Sequence, residues 1–459
     1  MDSAMKPFME PKSVAIIGIS RLTGPGNYNI LENLLSIGYS GKIYPVNPRA
    51  KEILGVRVYP SVLAVPGDIE LAVISMPRSA VPRIVGECAQ KGIKSIIIIT
   101  RGFDDGDNEG RRLQAEISRI ARQGGARILG PNTWGIANAF YNFTSGFSPM
   151  MMKRKPIGFV AQTGFYFGVP EIGGKGIDVG NATDIDFADA LEYYETDPDT
   201  KVIFLHIEGL RNGRRFVEVA ARVSRKKPIL ALKTGREEEA AKAVRSHTGS
   251  LAGRDEVYDA AFKKCGVIRV NELDEFESLA RAFLSLPLMK GNGIAVITSS
   301  GGAGIKAIDL LPKHHLRLAR LSPSTMERLN SFAPPWHTIG NPADIWPAFA
   351  VAGHPPEKVF SATLDALLRD DDVHAILLLF PAYTARPEQK AQVLEIIQSA
   401  PEKPIICWPP GAETEAFRAF MEKSGRVEVF STMDHALRAF SGLNARWCYL
   451  ASGDSGPVL

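Results

Sequence analysis

Ser246-His247-Thr248-Gly249-Ser250-Leu251-Ala252-Gly253 has the residue types for phosphoryl chemistry. A neutral imidazole is a nucleophile toward phosphorus. Gly249 and Gly253 allow close approach of a ligand to the backbone and tolerate positive φ. A helical pattern opens near Asp255, and hydroxyl residues with free N–H groups at a helix start form an anion site. A buried, hydrogen-bonded histidine in a tight turn fits the same residues, so the rest of the chain has to decide between the two.

Other chemistry-bearing residues fall where an apolar run meets a turn. The run 157–161 leads into Gln162-Thr163-Gly164, a second candidate anion loop. The run 202–207 ends in Glu208-Gly209. A carboxylate there points into a site and orients an imidazole through one ring nitrogen; a surface capping residue is the other reading. The run 13–18 opens the loop Gly18-Ile19-Ser20-Arg21-Leu22-Thr23-Gly24-Pro25-Gly26, which is glycine-rich without the dinucleotide fingerprint. The next strand ends Asn47-Pro48-Arg49, a cation where an NAD site wants an acid. Such a cation suits a phosphorylated ribose, as in NADP or the 3′-phospho-ADP of coenzyme A, and a solvated surface arginine is the alternative.

The elements that position these residues alternate. Apolar runs at 13–18, 41–46, 71–75, 95–100 and 127–129 are separated by helical patterns at 29–37, 80–91 and 110–123. Short buried strands alternating with helices make βαβ units and a parallel sheet, whose ligands bind at the carboxyl strand ends. After a Phe/Tyr/Asn-rich connection, strands are expected at 157–161, 201–207, 228–233 and 267–270. The pattern restarts past 286–292 with strands at 293–298, 375–380, 404–408 and 427–430. The sequence therefore predicts an α/β chain with domains at 1–130, 131–287 and 288–445 and a flexible tail at 446–459.

Composition narrows the classes. At 459 residues the chain is long enough for about three domains. A hydrophobic share of 45% and a charged share of 23% fit a soluble globular protein. Net charge is only +4, with no long Lys/Arg run, so no nucleic-acid partner is expected. Cys88, Cys265, Cys407 and Cys448 are too scattered for a disulfide framework or a zinc site. No apolar run has the length of a membrane span and the N-terminus lacks a signal-peptide core, so no membrane association and a cytoplasmic location are expected.

Taken in order, these stretches resemble the α subunit of nucleoside-diphosphate-forming (ADP-forming) acyl-CoA synthetases, the acetate–CoA ligases of the succinyl-CoA synthetase superfamily. The resemblance runs from residue 10 to about 430. It rests on residues 13–21, Ile43-Tyr44-Pro45-Val46-Asn47-Pro48, residues 71–75, Gly102-Phe103, Gly130-Pro131-Asn132, Gln162 with Gly164, Gly180-Asn181 with Asp184, Ile207-Glu208-Gly209, Lys233 with Gly235, the His247 motif, Gly301-Gly302 and Asn341-Pro342 with Asp344. It implies a Rossmann-like CoA-binding domain followed by two flavodoxin-like parallel-sheet domains.

The implied reaction interconverts acyl-CoA, ADP and phosphate with acid, CoA and ATP through an acyl phosphate and a phosphohistidine at His247, which Glu208 orients. By the same likeness, Gly18, Ser20, Arg21, Asn47, Pro48, Arg49, Ser75, Pro77, Thr100, Arg101 and Asn132 hold CoA. Gln162, Thr163, Gly164, Thr248 and Gly249 hold phosphate or substrate. ATP or ADP and Mg²⁺ belong to an ATP-grasp β subunit in an expected heterotetramer. The dozen or so residues after the third α/β segment are too few for that module.

Departures cluster around the implied acyl site. Ala161 replaces the family's first loop serine, Thr133-Trp134 follows Asn132 where a cysteine is usual, and Asp178 stands in place of a serine. Phe165-Tyr166-Phe167 replaces small residues, which fits either a bulkier or aromatic acid or a narrower pocket. A non-catalytic CoA-binding homologue and an NADP-dependent oxidoreductase are the competing readings. The first has to explain both His247 and Glu208; the second leaves the histidine motif unexplained.

Overall fold

The structure is a computed structural model. It describes residues 4–24, 27, 29–169, 172–240, 242, 244, 253–379, 395–399, 401–409, 418–419, 421 and 425–453. The chain divides into two compact units, Met1–Asn271 and Glu272–Leu459.

The first unit holds two large sheets. One is all parallel, in the order β2-β1-β5-β6-β7, from β1 (Ser13–Ile17), β2 (Lys42–Val46), β5 (Leu71–Ile74), β6 (Ser95–Ile98) and β7 (Arg127–Leu129). A small hairpin, β3 (Glu52–Ile53) with β4 (Val56–Arg57), lies outside it. Every residue of β1, β5 and β6 is buried, as expected where helices cover both sheet faces. The helices start where polar side chains satisfy free N–H groups: Asn29 accepts from Leu31 and Glu32, and Asp107 accepts from Gly110.

The second sheet runs β14-β13-β12-β10-β11-β8-β9. Its strands are β8 (Ile136–Asn138), β9 (Phe143–Thr144), β10 (Ile157–Ala161), β11 (Lys175–Asp178), β12 (Val202–Ile207), β13 (Ile229–Lys233) and β14 (Val267–Val270). Five are parallel, and β8 and β9 extend that edge antiparallel. The Phe/Tyr/Asn-rich connection, for which no strand was expected, thus supplies two strands. Among the reasons is Gly135, whose φ of +98° lets β8 depart and whose missing side chain makes room for the Ser145 hydroxyl. One hydrophobic core reaches from Met5 to Val267 and joins both sheets.

The second unit contains β15 (Gly293–Thr298), β16 (Arg317–Leu318), β17 (Ala343–Asp344), β18 (Ala375–Leu379), β19 (Ile405–Cys407) and β20 (Val427–Val429), all pairing parallel. The helix Leu273–Ser285 packs here on the helix Met433–Ala451. A side chain at Gly442 would lie 2.3 Å from Leu279 Cδ2, so glycine is what lets the two helices touch. The division into two compact units falls before that helix, and the last helix runs through Arg446–Ala451, inside the stretch 446–459 expected as a flexible tail.

Candidate active site

The carboxyl ends of the central strands of the second sheet bring four polar groups to one edge: Gln162-Thr163 after β10, Asp178 ending β11, Glu208 after β12 and Lys233 ending β13. Gln162 is buried and ties two of these ends together. Its Oε1 accepts from the Glu208 N–H at 2.9 Å and the Gly209 N–H at 3.0 Å. Thr163 starts a short 3₁₀ turn, Gly164–Gly168, by accepting from the Phe165 N–H. A Cβ on Gly164 would lie 3.0 Å from Trp134 Cβ, so glycine keeps that turn against the indole.

Glu208 is buried, and its carbonyl accepts from Lys233 Nζ at 3.0 Å. The Lys233 ammonium lies over the Tyr258 ring, 4.6 Å from its centroid, and burial pushes its pKa down to about 8. Burial first, then the Glu208 charge, push the Tyr166 phenol up. Asp178 is pushed up to about 7 by burial, against the pull of N–H groups from Trp134 and Gly180.

A cavity of about 310 Å³ opens here, lined by Gln162, Thr163, Gly164 and Asp178 together with Arg101, Asn132, Ile99, Thr133, Trp134 and Phe147. Residues predicted for CoA (Arg101, Asn132) and for phosphate (Gln162, Thr163, Gly164) therefore meet in one space. Its apolar walls, Ile99 and Phe147, escaped the sequence reading because nothing in their spacing ties them to the loops. Phe165-Tyr166-Phe167 divides: Phe165 is exposed, whereas Tyr166 and Phe167 are buried in an aromatic stack with Trp134, Phe159 and Phe204. His247, Thr248 and Gly249 lie outside the described residues.

The remaining predicted CoA residues gather at the carboxyl edge of the first sheet. Gly18 has φ +89°, and a Cβ there would fall 2.1 Å from the Ser75 carbonyl, so the ends of β1 and β5 meet only through glycine. Asn47 Nδ2 donates to the Ile19 carbonyl at 2.9 Å and its Oδ1 accepts from the Arg49 N–H at 2.8 Å. Ser20 Oγ accepts from the Leu22 N–H. Thr100 Oγ1 donates to the Met76 carbonyl, and the Asn132 N–H donates to the Thr100 carbonyl. Arg21, Pro48, Arg49, Ser75, Pro77 and Arg101 are exposed on this edge. Among the described residues no cluster of His, Cys, Asp and Glu is arranged to hold a metal ion, and no helix is long and apolar enough to cross a membrane.

Family models match three stretches: a CoA binding domain at 12–139, a succinyl-CoA ligase-like flavodoxin domain at 174–283 and a ligase-CoA domain at 294–420. The α subunit of the ADP-forming acetate–CoA ligase II of Pyrococcus furiosus is 38% identical over 95% of this chain and 96% of its own length. The ADP-forming acetate–CoA ligase of Methanocaldococcus jannaschii is 42% identical over 75% of this chain, a match that spans only 49% of that longer protein. The dinucleotide-forming acetyl-coenzyme A synthetase 1 of Ca. Korarchaeum cryptofilum, solved with phosphate and ADP, superposes with a TM-score of 0.82 at 30% identity, over 98% of this chain and 99% of that one. With an α/β fold, ordered motifs and full-length likeness in agreement, the chain belongs to the α-subunit family of ADP-forming acyl-CoA ligases, which are acid–thiol ligases.

Proposed function

We propose that this chain interconverts acyl-CoA, ADP and phosphate with a carboxylic acid, CoA and ATP, through an acyl phosphate and a phosphohistidine at His247. The observation that carries the reading is the shared cavity, where the anion loop Thr163-Gly164 meets Arg101 and Asn132 from the CoA-binding edge. A phosphate oxygen attacks the thioester carbonyl, the C–S bond breaks and CoA leaves as thiolate. An imidazole nitrogen of His247 then attacks phosphorus, and the acid leaves as carboxylate. ADP takes the phosphoryl group from the histidine. Such transfers need positioning and charge stabilisation more than covalent chemistry.

The backbone at Gln162, Thr163 and Gly164, with Thr248 and Gly249, cradles the phosphate, and Glu208 orients the imidazole. CoA lies along Gly18, Ser20, Arg21, Asn47, Pro48, Arg49, Ser75, Pro77, Thr100, Arg101 and Asn132, with the cation at the strand-two end, Arg49, on its ribose phosphate. The nucleotide and Mg²⁺ belong to an ATP-grasp β subunit, in a heterotetramer, in the cytoplasm. A non-catalytic CoA-binding homologue would have no use for Glu208 and His247 together.

Intact mass after incubation with a panel of acyl-CoAs, phosphate and Mg²⁺, with the nucleotide-binding subunit supplied, tests this. An acid-labile, base-stable phosphoryl adduct is expected in the wild type and absent in His247→Ala. No adduct from any acyl-CoA overturns the reading.

A further inference from the structure

Asp178 closes β11 in the middle of the site edge and is 2% exposed. Both carboxylate oxygens are fixed by backbone donors: Oδ1 accepts from the Gly180 N–H at 3.0 Å and Oδ2 from the Trp134 N–H at 2.6 Å. So held, the carboxyl cannot swing out of the cavity wall that it shares with Thr163 and Gly164. Phosphate, acyl phosphate and the free acid are all anions. When a buried carboxylate meets a second negative charge, one of the two takes a proton.

The charged groups around Asp178 do not remove that conflict. Glu208, from the end of β12, adds a second negative charge. Lys233, from β13, spends its ammonium on the Glu208 and Thr234 carbonyls. Arg101, from the loop after β6, is the cation in the cavity wall but is exposed to water. Asn181, two residues after Gly180's neighbour Val179, is held by Asp105, a further acid on that side.

We propose that Asp178 works as a neutral carboxylic acid, taking up a proton as the anionic substrate enters and donating it in a hydrogen bond to one of that anion's oxygens. The inference rests on the function proposed above, which is what assigns anions to the cavity. No covalent bond to substrate changes: one proton passes from solvent to the carboxylate on binding and returns on release. Burial already brings this carboxyl to about 7 before any anion arrives, so the uptake falls within the physiological range.

The test uses the complex with its nucleotide-binding subunit in the acid-activating direction. Acetate is the first probe, followed by any other acid whose acyl-CoA labels the protein, all being fully ionised above about pH 6. For the wild type, KM for the acid is expected to rise about tenfold per pH unit above about pH 7, the slope of one proton taken up. For Asp178→Asn, KM should be flat from pH 6 to 8.5. A second readout needs no turnover. A folded-state pKa raised above the unfolded one means that the folded protein holds the extra proton between about 4 and 7, so this group's contribution falls as pH rises through that window. The melting temperature of Asp178→Asn relative to wild type should therefore rise between pH 5 and 8. Asp178→Ser, uncharged and smaller, serves in both assays if the asparagine variant does not fold. Coinciding pH profiles of wild type and variant in an active complex overturn this inference alone. A wild type that activates no acid at any pH overturns the function reading and takes this inference with it.

Discussion

Gln162 shows how one side chain sets the geometry of the site. Its single amide oxygen accepts from two consecutive N–H groups, those of Glu208 and Gly209, and so fixes where β12 ends relative to β10. Replacing it with leucine keeps the volume and strands both donors in a buried setting, at about 1–3 kcal/mol each. Gln162→Leu is expected to lower stability by roughly 2–6 kcal/mol in urea unfolding, and to reduce turnover at least tenfold because Glu208 loses its reference point. Wild-type stability together with wild-type turnover would refute that role. The sequence flagged Gln162 as part of a phosphate loop. That its side chain ties two strands together depends on β10 and β12 being neighbours, which spacing along the chain does not encode.

At the level of elements, legibility followed an unbroken apolar run rather than burial, since β11, β8 and β9 are as buried as the rest. β1, β5, β6, β10 and β12 stand out as unbroken apolar runs because helices cover both faces of a parallel sheet. β11, which carries Asp178, has no such signature: it reads Lys175-Gly176-Ile177-Asp178, with a charge at each end. The lysine is tolerated because Asp197 and Asp199 neutralise it, at 2.6 and 2.9 Å, and Asp197 caps the end of the helix Phe187–Thr196. That ion triad pins the start of β11 and thereby sets the register that delivers Asp178 to the cavity. Breaking a buried pair leaves an uncompensated charge, typically costing about 3–5 kcal/mol. Lys175→Met is accordingly expected to destabilise by about that amount, and the double variant with Asp197→Leu to recover most of it. An unchanged denaturation midpoint for the single variant would show that the triad does not hold the strand.

On the scale of the whole molecule, the proposed reaction needs a nucleotide as well as CoA and phosphate. The chain covers nearly all of an α-subunit relative but only about half of a longer one, and the function proposed above assigns the nucleotide to a partner subunit. The chemistry divides accordingly. In the proposed reaction, forming an acyl phosphate and phosphorylating a histidine need acyl-CoA, phosphate and the cavity in the first unit, whereas making ATP needs a second site that binds ADP with its metal. The chain by itself is therefore expected to give a phosphorylated protein from acyl-CoA and labelled phosphate, in no more than one equivalent, with no labelled ATP when ADP is added. Supplying the nucleotide-binding subunit should convert that stoichiometric label into ATP with continued turnover. Labelled ATP formed by the chain alone at the rate of the complex would place the nucleotide site within these residues and end the argument for a partner.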